Sequence, residues 1–171
     1  MSVLIQRCRD VNQDVHICFI DYQKAFDRVQ HTKLIQILYD IGLDTRDIKI
    51  IENLYWNQKA CVLVDDNFTE NLDIRRGVRQ GCILSPLLFN VYSETIFHEA
   101  LADRTEGINI NGEIINNIRY ADDSVLLAEN AEDLQALVNS VHSTSKDYGL
   151  DMNISKTKYS YAQMYGAPYL I

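Results

Sequence analysis

"IRYADDSVLLAE", residues 118–129, sets two aspartates, Asp122 and Asp123, between two short apolar runs. Ile118 to Tyr120 and Val125 to Ala128 have strand composition, and the short link between them predicts a tight hairpin. Aspartate tolerates turn geometry, so a solvated surface turn is one reading of the pair. The other is chemical: adjacent carboxylates repel, and a bound cation makes the pairing favourable. The rest of the chain has to decide between them.

A chain of 171 residues with 47% hydrophobic content is long enough for one domain with a sizeable core. The opening "MSVLIQRCRDVNQD" lacks the apolar core and small-residue cleavage site of a secretory signal. No run approaches the roughly 18 apolar residues of a membrane span. Cys8, Cys18, Cys61 and Cys82 have no paired spacing, which predicts reduced thiols and an intracellular location, nucleus or cytoplasm, without membrane attachment. The net charge of -8 argues against indiscriminate nucleic-acid binding, yet Arg75, Arg76 and Arg79 leave room for a local site.

Periodicity gives interleaved helices and hairpins. "VHICFI" (15–20) reads as a buried strand. Leu34, Ile35, Leu38 and Ile41 have helical spacing with Gly42 as a stop, and Asp44 can cap a second helix to about Asn57. A hairpin is expected over 60–74 around Asp65-Asp66-Asn67. Pro86 can open a long, nearly all-round apolar helix that should be buried. "INGE" (110–113) reads as a turn leading toward the quoted hairpin. Leu134, Leu137, Val138 and Val141 then mark a helix ending at Gly149, with a last strand over 157–162. This irregular order favours an α+β fold with an antiparallel sheet.

"CFIDYQKAFDRV" supplies a third acid. Asp21 ends the buried strand, a costly place for a charge without a partner; helix capping is the competing role. Asp27 is assigned to capping or structure. If the 15–20 strand pairs with the 118–120 strand, about 4.8 Å away, Asp21 and Asp122 can share two divalent ions about 3.5–4 Å apart. Oxygen ligands suit magnesium, with manganese as a substitute. Two such ions activate a hydroxyl nucleophile and stabilise a leaving pyrophosphate.

The motifs now resemble a known family. "FIDYQKAFDRV", "GVRQGCILSPLLFN", "YADD" and "GLDMNISKTK" are similar, in order, to the four palm motifs of reverse transcriptases, nearest the non-LTR (LINE-type) retroelement branch. A single tetrapeptide such as YADD is suggestive; four motifs in order are specific. The resemblance implies a right-hand polymerase palm, with helices packed on one face of an antiparallel sheet. One reverse transcriptase domain would occupy residues 1–171, with its palm core at about 15–162.

The family assigns roles these residues can perform. Asp21, Asp122 and Asp123 match the catalytic and metal-binding acids, and the Tyr22 carbonyl can join the metal ligands. Phe26 matches the aromatic that packs under the incoming sugar and excludes a ribose 2'-hydroxyl; a core phenylalanine is its ordinary alternative. Arg79, Gln80 and Gly81 match the segment that meets nucleotide and template, the glycine allowing close backbone approach. Any one of the three arginines is equally well read as a solvated strand end. Lys156 fits the lysine of the fourth motif as a proton donor to pyrophosphate, with Lys158 competing. The implied partners are a primed RNA or DNA template and deoxynucleoside triphosphates.

Only 20 residues precede Asp21 and 13 follow Lys158, so this length predicts incomplete fingers, no thumb and little processive synthesis. Two function classes follow: an RNA-directed DNA polymerase domain with intact acids, or an inactive retroelement-derived fragment with at most weak nucleic-acid binding. A two-metal nuclease would use similar acids but leaves Phe26 and "RQGCILSP" unexplained.

Overall fold

The apolar run "VHICFI" forms strand over all six of its residues and lies inside the sheet that organises the chain. The computed structural model describes residues 2–10, 12–56, 58–120 and 123–162. Helix α1 (Ser2–Asp10) precedes strand β1 (Val15–Ile20), and a single turn, α2 (Ala25–Arg28), follows it. Periodicity predicts neither helix, because α2 is too short to display a period and α1 mixes polar and apolar residues.

Helices α3 (His31–Asp40) and α4 (Thr45–Tyr55) stand close to where their spacing puts them. Leu34 and Leu38 are buried, but Ile41 falls just past the end of α3 and is 57% exposed. Asp44 caps α4, its Oδ1 accepting from the Arg46 N–H at 2.7 Å. The expected 60–74 hairpin is two nested ladders. Strand β2 (Lys59–Ala60) pairs with β5 (Leu72–Asp73), and inside them β3 (Leu63–Val64) pairs with β4 (Asn67–Phe68). Asp65 and Asp66 make the turn, both at positive φ.

Helix α5 (Ser85–Leu101) begins one residue before Pro86. It buries a broad stripe including Phe89, Tyr92, Ile96 and Phe97, while Leu87, Asn90, Glu94 and His98 remain exposed. The "nearly all-round" burial suggested by composition is therefore a stripe. Hairpin β6 (Ile108–Ile110) and β7 (Glu113–Ile115) turns at Asn111-Gly112. Strands β8 (Asn117–Tyr120) and β9 (Asp123–Ala128) form the hairpin of the opening motif. Helix α6 (Ala131–Asp147) is capped by Asn130, whose Oδ1 accepts from the Asp133 N–H at 2.8 Å, and strand β10 (Lys158–Ala162) completes the sheet.

The four-stranded sheet has the order β10-β1-β9-β8, with every neighbouring pair antiparallel. This corrects the expected pairing of β1 with 118–120: β9 lies between them, and β1 pairs with β9 from His16↔Ala128 to Ile20↔Ser124. The reason is hydrophobic content. β9 is buried from Ser124 to Ala128 and fits an interior position, whereas β8 carries Asn117 and Arg119 and takes the edge.

Alternation divides the sheet into two faces. Cys18, Ile20, Leu126 and Ala128 belong to the main core, with α3, α4, α5 and α6. Val15, Ile17, Val125 and Leu127 form a smaller cluster on the opposite face with Cys8 of α1 and Ile108 of β6. Helices and antiparallel sheets thus combine in the expected α+β architecture. No helix among the described residues is long and apolar enough to cross a membrane.

Candidate functional site

Asp21 is the first residue after β1. Continuing the register one step past Ile20↔Ser124 sets it opposite Asp123, the exposed first residue of β9. Directly opposed residues share a face, here the one turned away from α5 and α6. Asp122 lies outside the described residues. Among those described, no group of three His, Cys, Asp or Glu side chains gathers as a metal cage.

The backbone of Asp21 is fixed from the segment after α6. Its C=O accepts from the Asn153 N–H at 2.7 Å, and its own N–H donates to Thr157 Oγ1 at 3.5 Å. The Gln23 N–H donates to the Asp151 C=O at 2.8 Å, Tyr22 bridges Met152, and Arg28 forms an ion pair with the Asp151 carboxylate. The fourth motif therefore straps the first in place. Sequence reasoning singled out its lysines and missed Asn153 and Thr157, because a backbone strap has no side-chain signature.

The Asp21 carboxylate is unevenly served. The side chain is 40% exposed, yet Oδ2 itself is buried and accepts no hydrogen bond among the described residues. Lys156 Nζ stands 4.0 Å away, beyond hydrogen-bonding distance. A buried anionic oxygen without a donor is costly unless a cation reaches it. Carboxylates of Asp21 and Asp123 with the Tyr22 carbonyl are hard oxygen donors, the set magnesium prefers. Lys158 lies elsewhere, its Nζ donating to the Ser155 C=O at 3.2 Å.

The Tyr22 side chain is structural. Its hydroxyl meets Ser145 Oγ at 2.8 Å in the core. Burial pushes the phenol up to about 12, against the opposing effects of the Ser145 hydrogen bond and the Arg119 charge. Any role toward a metal falls to the backbone carbonyl.

Phe26, Arg79, Gln80 and Gly81 do come together, lining a cavity of about 350 Å³ with Cys82 and Pro86. Phe26 is half-buried and stacks on Phe89, with ring centroids 4.9 Å apart and planes at 20°. It serves both readings at once, one side packed on the core and the other lining the cavity. The Gln80 amide donates to Asp27 Oδ1 at 3.1 Å, so the structural role expected of Asp27 extends to orienting Gln80.

Two backbone bonds tie these segments together: Gly77 N–H to Val29 C=O and Val78 N–H to Phe26 C=O, each 2.7 Å. At Gly77 (φ +95°) a Cβ would sit 3.0 Å from the Asp27 Cα and carbonyl oxygen, so the close approach requires glycine. Gly81 (φ +82°) instead faces open space, and a side chain there would project from the cavity wall without a clash. Ser85 Oγ donates to the Arg79 C=O at 2.6 Å, anchoring the loop to α5. The Cys82 thiol is held below its ordinary value, mainly by hydrogen bonding from the Leu84 backbone. Arg75 and Arg76 are not part of this cavity; they line a separate cleft.

The relatives of this chain agree with one another. A family model described as "Reverse transcriptase (RNA-dependent DNA polymerase)" matches residues 2–170. The chain is 34% identical over 152 residues to a retrovirus-related Pol polyprotein from the type-1 retrotransposable element R2 of Nasonia vitripennis, covering 89% of this chain and 15% of that protein. It is 29% identical over 141 residues to the corresponding polyprotein of element R2DM of Drosophila melanogaster, covering 82% of this chain and 13% of that one. The chain thus spans less than a sixth of the length of either curated relative. In fold, it is similar to telomerase from Candida tropicalis, solved in complex with a fragment of telomeric RNA: TM-score 0.71 at 14% identity, over 97% of this chain and 29% of that one. With a family match that runs nearly end to end, the chain belongs to the reverse transcriptase family, and the relatives described are those of non-LTR retrotransposons.

Proposed function

We propose that this chain is the palm of an RNA-directed DNA polymerase, one reverse transcriptase domain over 1–171 with its core at about 15–162. It would join a deoxynucleoside triphosphate to a primer 3'-hydroxyl on an RNA or DNA template. The observation that carries this reading is the buried Oδ2 of Asp21 at the end of an interior strand, which accepts no hydrogen bond among the described residues. Asp21, Asp122, Asp123 and the Tyr22 carbonyl would hold two magnesium ions, with manganese able to replace them. When bound, the ions supply positive charge to the attacking hydroxyl and to the leaving pyrophosphate.

The chain's own residues do the remaining work. Asn153 and Thr157 hold Asp21 in a fixed backbone position, which keeps the carboxylate from following its charge into solvent. Phe26, fixed by Phe89, presents a flat face where a deoxyribose fits and an added 2'-hydroxyl finds neither space nor partner. Gln80, oriented by Asp27, and Gly81 line the same cavity and would meet the incoming nucleotide and its template base, with Arg79 toward phosphate. Lys156, beside Asp21, is the better placed of the two lysines to give a proton to pyrophosphate.

Manganese binding followed by electron paramagnetic resonance, paired with single-nucleotide addition to an RNA-templated primer, tests the reading. Asp21→Asn and Asp122→Asn should each abolish metal binding and addition. Metal binding or addition indifferent to both substitutions would sink the two-metal site. A folded chain that binds no metal would favour the inactive fragment.

A further inference from the structure

A cleft of about 820 Å³ opens between the start of α3, the end of α4 and the β2–β5 ladder. Its volume falls within the roughly 300–1,000 Å³ typical of ligand pockets. Trp56, the only tryptophan of the chain, lies in its wall and is 38% exposed. Behind it, His31 is buried and braces the wall. Its Nε2–H donates to the Gly77 C=O at 2.8 Å, and its ring lies 6.0 Å from that of Trp56 and 5.5 Å from that of Tyr55. The indole is thus held by neighbours while keeping exposed surface.

Around this ring stand Lys59, Arg75 and Arg76. The acids of the cleft are partly engaged: Asp27 accepts from Gln80, and Asp73 lies 4.0 Å from Arg75. Lys59 and Arg76 form no ion pair among the described residues, in a chain whose net charge is -8. The walls are pinned by backbone. Ile74 N–H donates to the Gln58 C=O at 2.9 Å, Lys59 pairs with Asp73, and Arg76 bridges Gln30. A partly exposed aromatic flanked by cations on fixed backbone is what a single-stranded nucleic acid requires: a face for a base and charge for the phosphates beside it.

We infer that this cleft binds single-stranded nucleic acid, a base stacking on Trp56 while Lys59, Arg75 and Arg76 meet the flanking phosphates. The inference rests on the polymerase reading for its biological ligand, the unpaired template. The cleft is tied to the Phe26 cavity through Asp27, which lines the cleft and accepts from Gln80. A second connection runs from the floor: Ser85 Oγ donates to the Arg79 C=O, leaving the Tyr55 hydroxyl to donate to Ser85 Oγ at 3.3 Å. A strand lying in the cleft therefore borders the loop that carries Arg79 and Gln80. Binding here needs no metal.

Because Trp56 is the only tryptophan, its fluorescence reports this cleft in the unsubstituted 171-residue chain. A short oligodeoxythymidylate titrated in the presence of a chelator should quench that emission, and anisotropy of a labelled oligonucleotide should give the affinity. Trp56→Ala should weaken binding about tenfold, and Trp56→Phe should restore most of it. Arg75→Gln with Arg76→Gln should lower the slope of log affinity against log salt by about 1.4. Arg46→Gln, on the outer end of α4, should change neither. Absence of quenching on binding, or equal competition by dextran sulfate, which has charge but no bases, overturns the inference. Manganese binding by the unsubstituted chain separates it from the polymerase reading. Stacking in a chain that binds no manganese keeps the cleft and loses the two-metal site; metal-dependent addition with affinity indifferent to Trp56 does the reverse.

Discussion

From Ser124 to Ala128 every residue of β9 is buried, whereas from Cys61 to Arg76 every residue is exposed. Both regions are built from strands, and both carry valine and leucine. The difference lies in what covers them. β9 sits between β1 and β8, with helices on one face and the Val15–Ile108 cluster on the other. The ladders of the 59–73 region are two residue pairs long, and Val62, Leu63, Val64, Phe68 and Leu72 all remain more than half exposed. One region thus supplies a rigid frame for Asp123, as the proposed metal site would require. The other supplies surface, suited to meeting a partner rather than holding a reacting atom.

Stability should separate the two regions most sharply. Leu126→Ala removes a fully buried side chain from β9 and should cost about 2–5 kcal/mol. Leu63→Ala should change stability by no more than about 0.5 kcal/mol. Urea unfolding of both variants measures the contrast; similar losses would mean that the outer ladders belong to the same cooperative unit as the sheet.

Sugar selection probes the boundary of the rigid frame, since Phe26 packs on it and lines the cavity. In nucleotide-addition assays, Phe26→Ala should reduce the preference for deoxynucleotides over ribonucleotides by about tenfold or more, with manganese affinity unchanged. The ratio of kcat/KM values for the two sugars is the measurement. An unchanged ratio, with stability alone reduced, would assign Phe26 to the core.

The smallest expected effect is at Lys156. Its ammonium shares the neighbourhood of Asp21 with any incoming cation, but both side chains are substantially exposed, at 69% and 40%. Solvent screening limits such a pair to about 1 kcal/mol or less. Lys156→Met should accordingly tighten manganese binding about two- to fivefold, read by titration calorimetry, while slowing nucleotide addition. Unchanged affinity would make the lysine an ordinary surface cation, and weaker affinity would contradict the arrangement.

Much of this was legible in the sequence because local chemistry specified it. The run at 15–20 could be little but a buried strand, Asp44 had a helix to cap, and Asp65-Asp66 had a turn to make. The four motifs named the family before any contact was known. What the sequence left open were matters of pairing across distance. Nothing local says that β9 rather than β8 lies beside β1, since both strands of a hairpin present themselves equally to a third. The choice fell to the strand whose two faces are both apolar. The strap on Asp21 was equally hidden, because it runs through the backbone of Asn153, and backbone groups are the same in every residue. Trp56 was one aromatic at the end of a helix until residues 19 and 20 positions further on folded back to set two arginines near it. Local propensity determined the elements and the motifs; only burial in three dimensions decided which strand took the interior, which oxygen lost its donors and which ring was left facing a cleft.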